Sequence, residues 1–488
     1  MKRKTLTTAL LAGLTGTVGI ANMSNAVNIN PDGLGQALVY PYYTVRDGQD
    51  TLISVVNTTD SVKAVKVRFL EAENSREVLD FNLFLSPFDV WTAAVVDNGT
   101  GAAIFSQDTS CTVPDVPDTF GDAQPFLDFR YTDQSPGGED FRDGGSTTLD
   151  RTREGYLEML EMGVVTDASG FATAATHVAQ GGTLDCATLR ASDAIIGGDV
   201  IAPTGGLFGG GAIVDVFGGT FAGYNADAID NWSAIPQYSS AGDEEPRLSD
   251  ANSGVGDVTT QVFYQGTVVT SDWATGAEAV SAIYMHDNIM NEYVLDDVTN
   301  SGTDWVVTFP TKRFHTDSRF SVGTVPVPPF TTSFSGGIPG QACEEVTISV
   351  YDREETPLGG GQTGPIFSPA PPGQPGDALC FEANVMTFDS SSVLSSALDS
   401  FTNLPVNFQN GWANIAFTDT ANQMSSNDGD TYFGLPSTGF AVQEFVNGTL
   451  EDSEGNSVLS NYQGLFDHRA TRCIEASAEA ATCPLAGS

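Results

Sequence analysis

Five short runs rich in β-branched and aromatic residues follow one another near the start of the chain: Ala37–Val45, Thr51–Val56, Ala64–Glu71, Val78–Leu85 and Val90–Val96. Such side chains suit a pleated, half-buried surface, so each run predicts a strand. Between them lie Asp47-Gly48, Asn57 to Asp60, Glu73 to Ser75 and Ser86-Pro87, residues that tolerate or pre-set turn dihedrals. In the third run Val65, Val67 and Phe69 alternate with Lys66, Arg68 and Leu70; in the fourth Leu79, Phe81 and Leu83 alternate with Asp80, Asn82 and Phe84. One buried face and one mostly wet face is the antiparallel pattern. The fold class it predicts is mainly β, an antiparallel β-sandwich of the immunoglobulin-like kind, although the Cys…Trp…Cys spacing of antibody domains is absent.

Further along, the texture from Asp97 to Asp150 is loop, with one short strand expected at Phe126–Tyr131. Gly155–Val165 reads as a strand. Gly205–Ala226 is Gly-rich around a strand core, Ala212–Phe217. It lacks the Gly-Lys-Ser/Thr ending of a phosphate loop, so its glycines predict close strand packing. Thr275–Met290 predicts a helix, as does Asp389–Phe401, where Val393, Leu394, Ala397, Leu398 and Phe401 share a face. Strands are expected at Trp305–Phe309, Glu345–Tyr351, Phe381–Thr387, Ala413–Phe417 and Phe440–Phe445, with a Pro/Gly-rich excursion over 357–378. This grammar suggests an N-terminal sandwich domain over 27–112, a loop-rich β region over 113–275 and a C-terminal β-rich domain over 276–488.

The first 26 residues change the compartment. Lys2-Arg3-Lys4, an apolar run from Leu6 to Ile20 and Ser24-Asn25-Ala26 form a secretory signal peptide with cleavage expected before Val27. No later stretch is apolar enough to span a membrane, so the expectation is export to the outer cell surface or exterior, the periplasm being the other destination. In an exported chain six cysteines read as disulfides, paired by proximity as Cys111–Cys186, Cys343–Cys380 and Cys473–Cys483. No C-x-x-C favours zinc.

With 62 acidic against 20 basic residues the net charge is −42, which excludes nucleic acid as a partner. The acidity first suggests solubility in a salty exterior. Some carboxylates are candidates for Ca²⁺: Asp419, Asn427, Asp428 and Asp430 surround a Gly turn, as a hard cation requires, and Asp296, Asp297, Asn300 and Asp304 form a second group. Neither has EF-hand spacing. Lys312-Arg313 reads as a local ion pair with Asp296, Asp297 or Asp317. His177, His286, His315 and His468 form no H-E-x-x-H, no G-x-S-x-G elbow is present, and each histidine reads as a surface or interfacial residue. No catalytic residue or cofactor site emerges.

The signal peptide with its five strands, Thr303–Arg313 (TDWVVTFPTKR) and Tyr462–Arg472 (YQGLFDHRATR) resemble uncharacterised exported cell-surface proteins of Gram-negative bacteria that carry immunoglobulin-like strands. The resemblance implies location and fold and brings no activity. The expected function is therefore display or association at the cell surface or in an extracellular matrix, with matrix components or a second copy as partners. The alternative is a polysaccharide-binding module or glycan-active enzyme, for which Trp91, Trp232, Trp273, Trp305 or Trp412 would line a shared cleft.

Overall fold

The computed structural model describes residues 26–321, 323–334, 340–358, 378–389, 391–402, 404, 408–417, 419–451 and 453–476. Residues 1–25 of the expected signal peptide, the interior of the 357–378 excursion and Cys483 lie outside them. The fold is mainly β and antiparallel. All five N-terminal strands form: β1 (Ala37–Thr44), β2 (Gln49–Asn57), β3 (Lys63–Glu71), β4 (Glu77–Leu85) and β5 (Val90–Asp97). They are completed by β6 (Ala102–Phe105), β7 (Glu154–Val165), β8 (Leu207–Asp215), β9 (Thr220–Asn225) and β10 (Asp227–Asp230). One sheet runs β10-β1-β7-β3-β4 and the other β9-β8-β2-β5-β6, with shorter strands at their edges. Their inner faces, including Val65, Val67, Phe69, Ile53, Val55, Trp91 and Ile213, make one hydrophobic core.

Strands from the 113–275 region thus finish both sheets begun by 27–112, and β7 pairs with β1 on one side and β3 on the other. Among the described residues no sheet crosses the boundary at 275/276. The first core does, since Val306, Val385, Phe440 and Val442 pack into it.

The glycines of β8 have the predicted cause. A Cβ on Gly209 would stand 2.0 Å from the Tyr40 hydroxyl, and one on Gly211 would stand 2.3 Å from the Tyr224 ring.

The face of β3 expected to be wet is instead covered, and all nine of its residues are buried. Charges there are matched across strands: Lys63 Nζ to Glu161 Oε1 at 2.6 Å, Lys66 Nζ to Asp80 Oδ2 at 2.8 Å, and Arg68 Nη2 to Glu77 Oε2 at 2.6 Å. The reason is tertiary: residues between Phe171 and Ala241 pack over this face, with Lys66 Nζ donating to the Ser240 carbonyl, and Arg313 closes one end of it beside Glu158. Lys312 and Arg313, in α3 below, are fully buried rather than locally paired: Arg313 meets Glu158 Oε1 at 3.4 Å and donates to the Ser75 carbonyl, and Lys312 Nζ donates to the Phe381 carbonyl. Arg313 keeps its charge beside Glu158, whereas burial lowers the Lys312 pKa to about 8 against the pull of Glu382 and Glu344.

The remainder comprises α1 (Cys186–Ile196), β11 (Val258–Tyr264), β12 (Thr267–Trp273), α2 (Gly276–Tyr284), β13 (Asn288–Val294), β14 (Ser301–Thr308), α3 (Lys312–Thr316), β15 (Thr347–Asp352), β16 (Ala383–Phe388), β17 (Asn410–Ala416), β18 (Gln423–Ser425), β19 (Thr431–Phe433), β20 (Thr438–Glu451) and β21 (Ser457–Asp467). β16-β14-β20-β21 and β15-β17-β13 are the larger sheets among them. Thr275 and Glu278 form a capping box at the start of α2, as its sequence predicts, but the helix stops at Tyr284.

Two predicted elements are absent. Phe126–Tyr131 is a turn whose Phe126 and Tyr131 are buried in the core. Asp389–Phe401 forms no helix. The Leu394 N–H donates to Asp304 and the Ala397 N–H to Glu154, both on distant strands, and Asp399–Thr402 adds to β16 as a parallel strand. Backbone donors taken by buried carboxylates outweigh a modest local helix propensity.

Cys111–Cys186 and Cys343–Cys380 are bonded as expected. The first ties the edge strand Cys111–Val113 to the start of α1, and the second closes the base of the Pro/Gly-rich excursion. Cys473 is also disulfide-bonded. Among the described residues no helix is long and apolar enough to cross a membrane.

Candidate interaction surface

The outer face of the β9-β8-β2-β5-β6 sheet is built from alternate residues of strands whose other residues fill the core. Register places these outward residues in rows. Gly223, Ala212, Leu52, Ala94 and Phe105 form one row across all five strands. Asn225, Gly210, Ser54 and Thr92 form the next. Phe208, Val56 and Val90 flank these rows on one side, and Phe221 and Val214 on the other. Small side chains between larger ones leave a groove of about 600 Å³.

This face carries no Lys or Arg. Its acid, Asp50, stands at one end, where burial and then Asp97 and Asp215 at the neighbouring strand ends raise its carboxyl pKa. Leu52 is 44% exposed, Phe208 42%, Val90 48% and Phe221 60%. On a chain of net charge −42 a largely apolar sheet face with its charge confined to one end departs from the rest of the surface and is a candidate contact site. Beside the β9 edge, where the Asn461 side chain donates to the Gly218 carbonyl, β21 adds exposed Leu459 and Tyr462.

A second feature is polar. A cavity of about 270 Å³ where the sheets meet is lined by Asp227, Tyr284, His286, Asp467, His468 and Arg472, among others. Its polar groups are engaged with the protein. Thr438 donates to Asp227 at 2.6 Å, and Arg472 donates to the Ile283 and Met285 carbonyls that end α2. His286 Nδ1 lies 3.1 Å from the Ser437 carbonyl, and His468 Nε2 lies 2.9 Å from the Val306 carbonyl, contacts in which each ring nitrogen donates. Burial pushes the Asp227 carboxyl up to about 6. The arrangement is a polar seam that joins strands, with two histidines and two acids but no tryptophan.

The other sequence candidates are dispersed. Asn427, Asp428 and Asp430 occupy the β18–β19 turn, where Asp428 Oδ1 accepts from the Asp272 N–H and Asp430 Oδ2 from the Ser271 hydroxyl. Asp419 caps a separate turn through the Ala421 N–H. Asp296 accepts from the Val298 N–H, Asn300 donates to the Val446 carbonyl, Asp297 accepts from Gln409, and Asp304 is buried. Among the described residues no three His, Cys, Asp or Glu groups are placed to hold a metal.

The histidine reading needs one correction. His315 is a core residue, 1% exposed, with Nε2 2.8 Å from the Ser281 hydroxyl, and burial lowers its pKa to about 4. His177, His286 and His468 are half-buried. Trp91, Trp232, Trp273 and Trp305 are buried, whereas Trp412 is 41% exposed and stacks on Tyr351 with ring centroids 4.6 Å apart. That pair is a single platform and not a shared aromatic cleft.

The surface residues Leu52, Ser54, Thr92, Ala94, Gly210 and Ala212 were not singled out by sequence. A signal exists: Thr51–Val56, Val90–Val96 and Leu207–Val214 contain no charge at either parity, unlike the half-wet strands around them. No family model, curated protein or solved structure matches this chain.

Proposed function

We propose that this is an exported, non-enzymatic β protein that works by association at the cell surface or in the extracellular space, and that the β9-β8-β2-β5-β6 face is where a second copy docks. The signal-peptide pattern and the disulfides support the compartment. The observation that carries the association is the largely apolar, grooved face. Its relief suits itself, because Leu52 of one copy can enter the small-residue row Gly210, Ser54 and Thr92 of the other. Five strands at ~4.8 Å spacing and about seven residues at ~3.4 Å give roughly 600 Å² a side. This lies near the lower limit for a specific interface, about 1,200 Å² in total. A two-fold axis across the strands sets the acidic end of each copy against the Phe208 end of its partner and so avoids carboxylate repulsion.

The test is sedimentation of the full chain with and without Leu52→Glu. The variant places two extra carboxylates in a two-fold interface while leaving the core untouched. The wild type should dimerise with rising concentration, and more strongly in 0.5 M sodium chloride, since salt screens the net charge without weakening an uncharged contact. Leu52→Glu should remain monomeric. A wild type that stays monomeric at about 100 μM in high salt, corresponding to a dissociation free energy below roughly 6 kcal/mol, would sink the proposal, as would a variant that dimerises equally well.

A further inference from the structure

Cations are scarce in this chain, yet several gather at one place. A cavity of about 200 Å³ is lined by Arg68, Arg76, Arg130, Arg313 and Arg319, against two lining carboxylates, Glu77 and Glu244. The walls come from distant parts of the sequence: β3, the β3–β4 turn, the loop after β6, α3 and the segment that follows α3. Phe320 is the hub of the arrangement, with the guanidinium carbons of Arg76, Arg247 and Arg313 at 5.5, 5.3 and 5.5 Å from its ring centre. Stacking of this kind holds a guanidinium plane in place while leaving its edge free to donate.

Each guanidinium already has a carboxylate beside it. Arg68 is held by Glu77 and Glu158, Arg76 by Asp143 and Asp317, Arg130 by Glu244, Arg313 by Glu158 and Arg319 by Asp317. Those pairs do not exhaust the donors, because every guanidinium carries five N–H groups. Arg313 is 1% exposed, and its Nε has no hydrogen-bond partner; the Nε of Arg130 is likewise buried without one. A buried donor without an acceptor is costly, and the missing acceptors are of the kind an anionic oxygen supplies.

We propose that this cavity binds a small ligand through a carboxylate, phosphate or sulfate group, with Arg313 at its floor and Arg130 and Arg319 at its mouth. The volume is below the ~300–1,000 Å³ of drug-sized pockets, so the ligand is compact. A fixed cluster of arginines also explains how an acidic protein captures an anion that its overall charge repels. This inference concerns a different surface from the association face and does not depend on it.

The experiment is calorimetric titration of the full, disulfide-bonded chain with inorganic phosphate, inorganic sulfate and galacturonate, with galactose as the neutral control. The arms separate the sources: preference for phosphate or sulfate indicates a tetrahedral oxyanion, and preference for galacturonate indicates an organic acid. Arg319→Gln and Arg130→Gln remove one donor set each at side chains that are 34% and 20% exposed. Each should weaken binding by about tenfold or more, the usual worth of a charge-assisted hydrogen bond. Arg190→Gln, at an arginine paired with Asp115 away from the cavity, should not. Arg319→Gln decides the matter by itself if Arg130→Gln fails to fold. The absence of saturable binding of all three anions to about 10 mM, or equal loss in Arg190→Gln, would overturn the proposal.

Discussion

Replacing Asp304 by Asn should stabilise the protein by about 4 kcal/mol at pH 8 and by less than half as much at pH 5. Asp304 lies in β14 between Thr387 of β16 and Val442 of β20 and is wholly buried. Its Oδ2 accepts the Leu394 N–H at 2.8 Å, while Oδ1 has no hydrogen-bond partner. Burial pushes its carboxyl pKa from 3.8 up to about 7, against the opposing pull of the Leu394 N–H. Above pH 7 the group is ionised both folded and unfolded, so the folded state bears the whole cost of a buried charge. As pH falls from 7 to 4 only the folded state takes up the proton, and stability rises. Below 4 both states are protonated and the contribution is constant. At 1.36 kcal/mol for each tenfold, the gap corresponds to about 4 kcal/mol. Asn fills the same space and does not ionise. Urea unfolding of both proteins at pH 8, 6.5 and 5 measures the difference. Glu73 and Glu382 are also raised to about 7, but both proteins keep them, so they cancel. A stability difference that is the same at all three pH values would refute the argument.

Replacing Cys343 and Cys380 together by Ser should lower stability by about 4 kcal/mol, the loop-closure value for the 37-residue separation, as read by denaturant unfolding without reductant. A loss below about 1 kcal/mol would mean that the unfolded chain gains little freedom at this loop. Calcium chloride and sodium chloride at matched ionic strength should raise the melting temperature equally, because Asp428 and Asp430 already accept hydrogen bonds within the protein. A larger calcium increment that Asp428→Asn abolishes would instead place an ion in that turn.

What the sequence determined by itself is local. β-branched and aromatic runs closed by turn residues were enough to define β1 to β5, and the Thr275 and Glu278 pair was enough to start α2, because these choices depend on neighbours a few residues away. The disulfides Cys111–Cys186 and Cys343–Cys380 were legible too, since proximity in the chain favours closure. Tertiary structure decided the rest. β7 enters between β1 and β3 from more than eighty residues beyond β3, and residues from Phe171 to Ala241 pack over the outer face, so no local pattern could tell that both faces of β3 would be covered; only Leu70 and Phe84, apolar on the nominally wet side, hinted at it. Asp389–Phe401 has a helical stripe, yet Asp304 and Glu154 claim its backbone donors. The association face combines three strands whose inner stretches, Thr51–Val56, Val90–Val96 and Leu207–Val214, lack charge at both parities, and their adjacency exists only in the sheet. The arginine cavity is the extreme case: its side chains are spread from residue 68 to residue 319 and converge because each scarce cation is drawn to a buried carboxylate, a preference that acts through space and leaves no periodicity in the chain.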